Sequence, residues 1–139
     1  MPELSPRLLQ IVEALPLRPD LRILEIGCGP GAMARELARR LPEGFVLGID
    51  RSAKAMAQAS AGDNPPNLAF RQASADAFAL EPGEEPYDLA VAIRVGALDG
   101  RHPDLEQASR AAIRAALKPG GRLYIDGGEP LREIDLKLD

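Results

Sequence analysis

Residues 23–31 read ILEIGCGPG, a branched apolar run that breaks directly into three glycines and a proline. A run this short, bounded by Asp20 and Gly27, predicts a buried strand over 22–26. Beyond it Met33, Ala34, Leu37, Ala38 and Leu41 recur at helical spacing, so a helix packed on a sheet is expected from 31 to 41. A strand that turns into a helix through glycines brings bare backbone close to whatever lies at the strand end. The first helical turn also leaves amide groups free there. Gly27 and Gly29 are therefore expected to make room for a ligand.

The same rhythm runs on. FVLGID (45–50), LAFRQ (68–72), YDLAVAI (87–93) and GRLYID (121–126) read as strands. SAKAMAQAS (52–60) reads as an alanine-rich helix, and residues 103–118 as a longer one whose face is Leu105, Ala108, Ala112, Ile113, Ala116 and Leu117. Ser5 and Pro6 start a leading helix within residues 1–16, with Leu8, Val12 and Leu15 on one side and Pro16 as its stop. Strands alternating with helices predict an α/β fold with a parallel sheet covered on both faces. The 139 residues suit one domain, 1–139, around a single core. After the last of these strands, residues 127–139 cannot supply two full strands. Ile134, Leu136 and Leu138 alternate with charged residues, so one edge strand is expected, and its open edge suggests a homodimer.

Composition removes several function classes. No apolar run approaches the roughly 18 residues of a membrane span, so no membrane partner is expected. MPELSPRLLQ lacks the basic start and apolar centre of a secretory leader. Cys28, the single cysteine, has no internal disulfide partner, which points to a reducing cytoplasm. It also has no second ligand or base nearby in sequence, so it reads as a small filler, and no metal is expected. The formal charge is -4 and the 17 basic residues are dispersed, so nucleic acid is not the expected partner. Arg35, Arg39 and Arg40 fall at helical spacing and read as the solvated face of the second helix.

Which ligand the turn holds is not decided by the glycines, because Gly27, Gly29 and Ala32 also satisfy the dinucleotide pattern, and NAD remains a reading. Asp50 ends the second strand about 20 residues on, where a carboxylate can accept both hydroxyls of a ribose. Losing such a bond costs about 1.5–3 kcal/mol, or about ten- to a hundredfold in affinity.

From about residue 20 to residue 126 the chain resembles the class I S-adenosylmethionine-dependent methyltransferases, particularly the small-molecule branch that includes quinone-biosynthesis enzymes. ILEIGCGPG resembles that family's first motif, GIDRSAKAM its second, SADAF its third, YDLAVAI its fourth and LKPGGRLYI its fifth. The fifth has no counterpart in the dinucleotide fingerprint. The resemblance implies a Rossmann-like doubly wound, mostly parallel sheet in the order 3-2-1-4-5, here with a shortened C-terminal edge. It also implies S-adenosylmethionine as cofactor and a small-molecule acceptor of the methyl group. Residue by residue, Gly27, Cys28, Gly29 and Gly31 would form the turn beside the methionine and ribose. Glu25 would orient that turn or reach the methionine amino group through water. Asp50 would take the ribose hydroxyls, and Asp76 the adenine amino group, with the backbone at Ala75 and Ala77 framing the base. The main chain at Ile93 and Arg94 would meet the methionine end. Arg51 departs from the aliphatic residue usual after the acid, although a guanidinium can stack on a ring.

Displacement at a methyl group on a sulfonium needs alignment and exclusion of water more than a general base. The resemblance therefore does not require a visible catalytic residue. AIRVG replaces the NPPY or DPPY of nucleic-acid amino methyltransferases, which argues against a base as acceptor. His102 follows the fourth strand and is the one catalytic candidate, as a proton acceptor over the methyl group. The bland alternative is an exposed loop histidine before Pro103. Gly96 and Ala97 suggest an open acceptor site. Two readings stand side by side: a complete small-molecule methyltransferase, and a cofactor-binding module that works only beside a partner.

Overall fold

The computed structural model describes residues 4–136. Helix α1 (Pro6–Ala14) starts where Ser5 Oγ accepts from the Leu8 amide at 3.2 Å, and β1 (Arg22–Ile26) follows. Then come α2 (Ala32–Arg39), β2 (Phe45–Asp50), α3 (Ala53–Ser60), β3 (Leu68–Gln72), β4 (Tyr87–Ala92), α4 (Pro103–Ala116), β5 (Leu117–Asp126) and β6 (Leu131–Ile134). The sheet runs β3-β2-β1-β4-β5-β6. Its first five strands are parallel and β6 is antiparallel to β5. The expected doubly wound order and the single edge strand are both present. Leu136 lies past that strand, and Leu138 lies outside the described residues.

Strand side chains alternate between two apolar layers, which is why β1, β2 and β4 read as nearly continuous apolar runs. On one face α1, α2 and the turn after α2 set Ile11, Val12, Leu37 and Leu41 against Ile23, Val46, Leu89 and Val91. On the other, Ile113 and Ala116 of α4 meet Leu24, Leu47, Ala90, Leu123 and Ile125. Met56 and Ala59 of α3 pack on Cys28 and Phe70.

Two local readings need correction. Arg35 is not solvated: it is buried and donates to the carbonyls of Pro30 at 2.7 Å and Ala59 at 3.3 Å, and to Asn64 Oδ1 at 3.0 Å. Only Arg39 and Arg40 of the predicted surface trio behave as expected, both pairing with Glu36. The helix expected to reach residue 118 ends at Ala116, because Leu117 already pairs with Tyr87 of β4. The chain then bulges before Arg122 takes up the register opposite Leu89. Between β3 and β4 residues 73–86 carry no helix. They are tied down by Glu84, which accepts from Arg71 at 3.0 Å on each oxygen and from the Tyr87 hydroxyl at 2.6 Å.

Candidate functional site

The C-terminal ends of β1 to β4 open on a cleft of about 290 Å³, at the lower edge of the roughly 300–1,000 Å³ of small-molecule sites. The strand order changes direction between β1 and β4, the place where open α/β sheets take their ligands. Of the predicted site residues, Gly27, Asp50, Arg51, Ala75, Asp76, Arg94 and His102 line the cleft. Glu25, Cys28, Gly29, Gly31, Ala77 and Ile93 do not line it. A larger hollow, about 760 Å³, lies between the bulge of β5 and β6, and none of these residues reaches it.

The glycines of the turn turn out to serve three purposes. A Cβ at Gly29 would meet nothing within 4 Å, so only there does the missing side chain leave open space. At Gly27 a Cβ would stand 2.8 Å from Val95 Cγ2, so that space belongs to the loop after β4 and not to a ligand. At Gly31, which caps α2 with φ 95°, it would stand 2.7 Å from the Phe70 ring. Asp50 holds the turn from β2: its Oδ2 accepts from the Gly29 amide and its Oδ1 from that of Ser52, both at 2.9 Å. Each oxygen keeps a lone pair for a further donor.

Beneath the turn sits Glu25, 4 % exposed, with Oε1 lacking a hydrogen-bond partner. Burial, reinforced by the nearby charge of Asp50, pushes its carboxyl up to about 8, so it is mostly protonated at neutral pH. A buried acid with one unsatisfied atom at a strand end has the chemistry of a ligand contact, above all for a cation. Cys28 is inert by the same physics: burial, then the charges of Glu25 and Asp50, push its thiol far above the usual range. Its sulfur fills the space over Gly48, where a Cβ would stand 2.9 Å away.

At the other side of the cleft, Arg94 stands just past β4 with φ 58°, the one non-glycine residue with positive φ among those described. Its amide donates to Asp126 Oδ1 at 3.0 Å and its carbonyl accepts from Arg101 Nη2 at 2.7 Å. Arg101 also grips Asp99, and Arg7 pairs with Asp126 at 3.3 Å. The His102 amide donates to the Gly96 carbonyl at 2.9 Å, and a Cβ at Gly96 would run into the His102 ring. The room that Gly96 seemed to leave for an acceptor is thus filled by imidazole. Ser74, Val95, Arg101 and Leu105 also line the cleft: Ser74 and Val95 fall inside motifs without being singled out, Leu105 reads only as helix face, and nothing in the sequence marked Arg101. Among the described residues no three His, Cys, Asp or Glu side chains gather as a metal site.

A sheet wound this way, with a glycine turn clasped by the acid that ends β2, defines a Rossmann-like cofactor-binding domain. Residues 23–121 match the family model described as a methyltransferase domain, and the chain belongs to that family. It is 40 % identical over 116 residues to a trans-aconitate 2-methyltransferase of Paracidovorax citrulli, covering 84 % of this chain and 42 % of that protein. A second trans-aconitate 2-methyltransferase, from Methylobacterium nodulans, is 33 % identical over 92 % of this chain and 46 % of its own length. A protein-L-isoaspartate O-methyltransferase of Methylorubrum extorquens is 36 % identical over 92 % of this chain and 51 % of its own. The chain thus spans about half the length of these curated relatives. Among solved structures, an S-adenosylmethionine-dependent methyltransferase from Mesorhizobium loti superposes with a TM-score of 0.66 at 28 % identity, over 83 % of this chain and 50 % of that one. S-adenosylmethionine is the cofactor these likenesses support, and the unsatisfied Glu25 carboxyl, the open face of Gly29 and the spare lone pairs of Asp50 fit it.

Proposed function

We propose that this chain is the S-adenosylmethionine-binding domain of a methyltransferase whose acceptor is a small-molecule carboxylic acid. One observation carries the cofactor part: the buried, unsatisfied Glu25 lies under a turn that Asp50 holds open at the switch point of the sheet. Glu25 would face the methionine ammonium, Asp50 the ribose, Asp76 the adenine amino group between Ala75 and Ala77, and Arg51 the face of the base. The bound cofactor supplies a methyl group activated by its positively charged sulfur. What remains for the protein is to hold the acceptor in line, which falls to the loop from Arg94 to His102.

The acceptor part is supported by the trans-aconitate relatives and by chemistry. A carboxylate is already a nucleophile at neutral pH and needs no base, which suits a cleft where His102 packs on Gly96 as a wall. None of the relatives described above is named for quinone biosynthesis. Among the described residues no helix is long and apolar enough to cross a membrane, and a cytoplasmic setting without nucleic acid accords with the dispersed charge. Pairing of two copies along the free edge of β6 belongs to the same proposal. A second reading, a binding module that needs another subunit to cover the acceptor, is favoured by the small cleft volume.

Calorimetric titration tests the cofactor role. S-adenosylmethionine and S-adenosylhomocysteine are expected to bind saturably, NAD not at all, and Asp50→Asn to weaken the first two by about ten- to a hundredfold. Binding of NAD alone would overturn the reading. Methyl transfer to a carboxylic acid by the chain alone would exclude the module.

A further inference from the structure

We propose that Arg94 is the carboxylate-binding residue of the cleft, presented to the ligand by a backbone held in the left-handed conformation. The proposal rests on the methyltransferase reading above and adds to it the group that recognises charge.

A residue with a Cβ gives up about 1–2 kcal/mol in that conformation, so something must hold it there. Here the clamp acts on the Arg94 main chain from both sides, with Asp126 taking its amide and Arg101 its carbonyl. The clamp occupies the acids on its own side of the cleft. Asp99 is gripped by Arg101, and Asp126 by Arg7 as well as by the Arg94 amide. Among the described residues no hydrogen bond or ion pair holds the Arg94 guanidinium, and Arg94 is an exposed residue of the cleft lining. Strain, a dedicated frame and an unused fork of donors meet at one position. A guanidinium in that state matches a carboxylate through two parallel charge-assisted bonds. Arg51 also borders the cleft but has no such frame, and it follows Asp50 at the ribose side.

Two carboxylates can come to this place, that of the cofactor's methionine and that of the acceptor. Arg94→Gly separates them, since glycine adopts this φ without strain and only the guanidinium is lost. S-adenosylhomocysteine and tricarballylate, a tricarboxylic acid, are titrated into the parent chain and the variant, with the triamide of tricarballylate as the uncharged control. One of the two affinities is expected to fall about ten- to a hundredfold, with the melting temperature no lower than the parent's. Loss for S-adenosylhomocysteine assigns Arg94 to the methionine carboxylate, and loss for tricarballylate assigns it to the acceptor. Arg94→Lys should recover part of the loss, and Arg39→Ala, the same change of charge outside the cleft, should cause none. The proposal is overturned if Arg94→Gly leaves both affinities unchanged, if the loss is confined to tricarballylate while the parent binds the triamide as well as the acid, or if the parent binds neither probe. A parent chain that binds tricarballylate through Arg94 but not S-adenosylhomocysteine would sink the cofactor reading and leave this one standing.

Discussion

Gly29 and Gly31 stand two residues apart in one turn, yet a methyl group added to each meets different surroundings. At Gly29 the space is open, so Gly29→Ala should cost only the left-handed backbone term, about 1–2 kcal/mol. At Gly31 the new Cβ would press on the Phe70 ring, and that ring cannot retreat because it already lies against Gly48. Gly31→Ala should therefore lose a further 1–3 kcal/mol or so to overpacking. Urea unfolding of the two variants checks the order, and equal midpoints would show that the Phe70 contact gives way freely. The sequence announces that this turn needs glycine but not which neighbour each glycine avoids, since Phe70 and Val95 arrive from distant strands. Arg35 shows the same limit. Its spacing with Arg39 and Arg40 says surface, whereas two of the acceptors that let it be buried, the Ala59 carbonyl and Asn64 Oδ1, lie at the far end of α3 and beyond.

Among the elements, β1, β2 and β4 were legible because a strand buried on both faces has to be apolar throughout. The boundaries less so: residues 117 and 118 continue the helical pattern of α4, and the pairing of Leu117 with Tyr87 makes them the start of β5. The segment between β3 and β4 is the least legible, since its order comes from side chains and not from a repeat. Glu84 is its hub. Burial raises its carboxyl, but the bonds from Arg71, Tyr87 and the Glu81 amide outweigh this and bring it to about 2. Glu84→Ala leaves the partly buried Arg71 and Tyr87 hydroxyl without their shared acceptor, and should destabilise the chain by about 1–3 kcal/mol. Tyr87→Phe should cost about 1 kcal/mol in the parent and nothing in the Glu84→Ala background, as a double-mutant cycle would read it. Additive losses would show that the Tyr87 hydroxyl contributes independently of Glu84.

For the molecule as a whole, these carboxyl groups set opposing slopes of stability against pH. Glu84, at about 2, and Asp88, held low by the Arg22 amide and Lys118 against its own burial, bind fewer protons folded than unfolded. Their contribution is present above the ordinary carboxylate pKa and is lost as pH falls through the folded values. Glu25 works the other way. Its folded value of about 8 lies above the usual 4.5, so its contribution is complete below 4.5 and is lost as pH rises towards 8. The two limbs meet at weakly acidic pH, where the ligand-free chain should melt highest. Glu25→Gln keeps the shape and removes the titration, so it should leave the acid limb alone, flatten the decline above about pH 5 and raise the melting temperature at pH 8. A cation bound beside Glu25 would favour its ionised form, so S-adenosylhomocysteine, through its ammonium, should release a proton on binding near pH 7. Titration in two buffers of different ionisation enthalpy measures that proton. Release in the parent and none in Glu25→Gln would tie the unsatisfied carboxyl beneath the turn to the cofactor above it. No release in either would leave Glu25 as a purely structural acid.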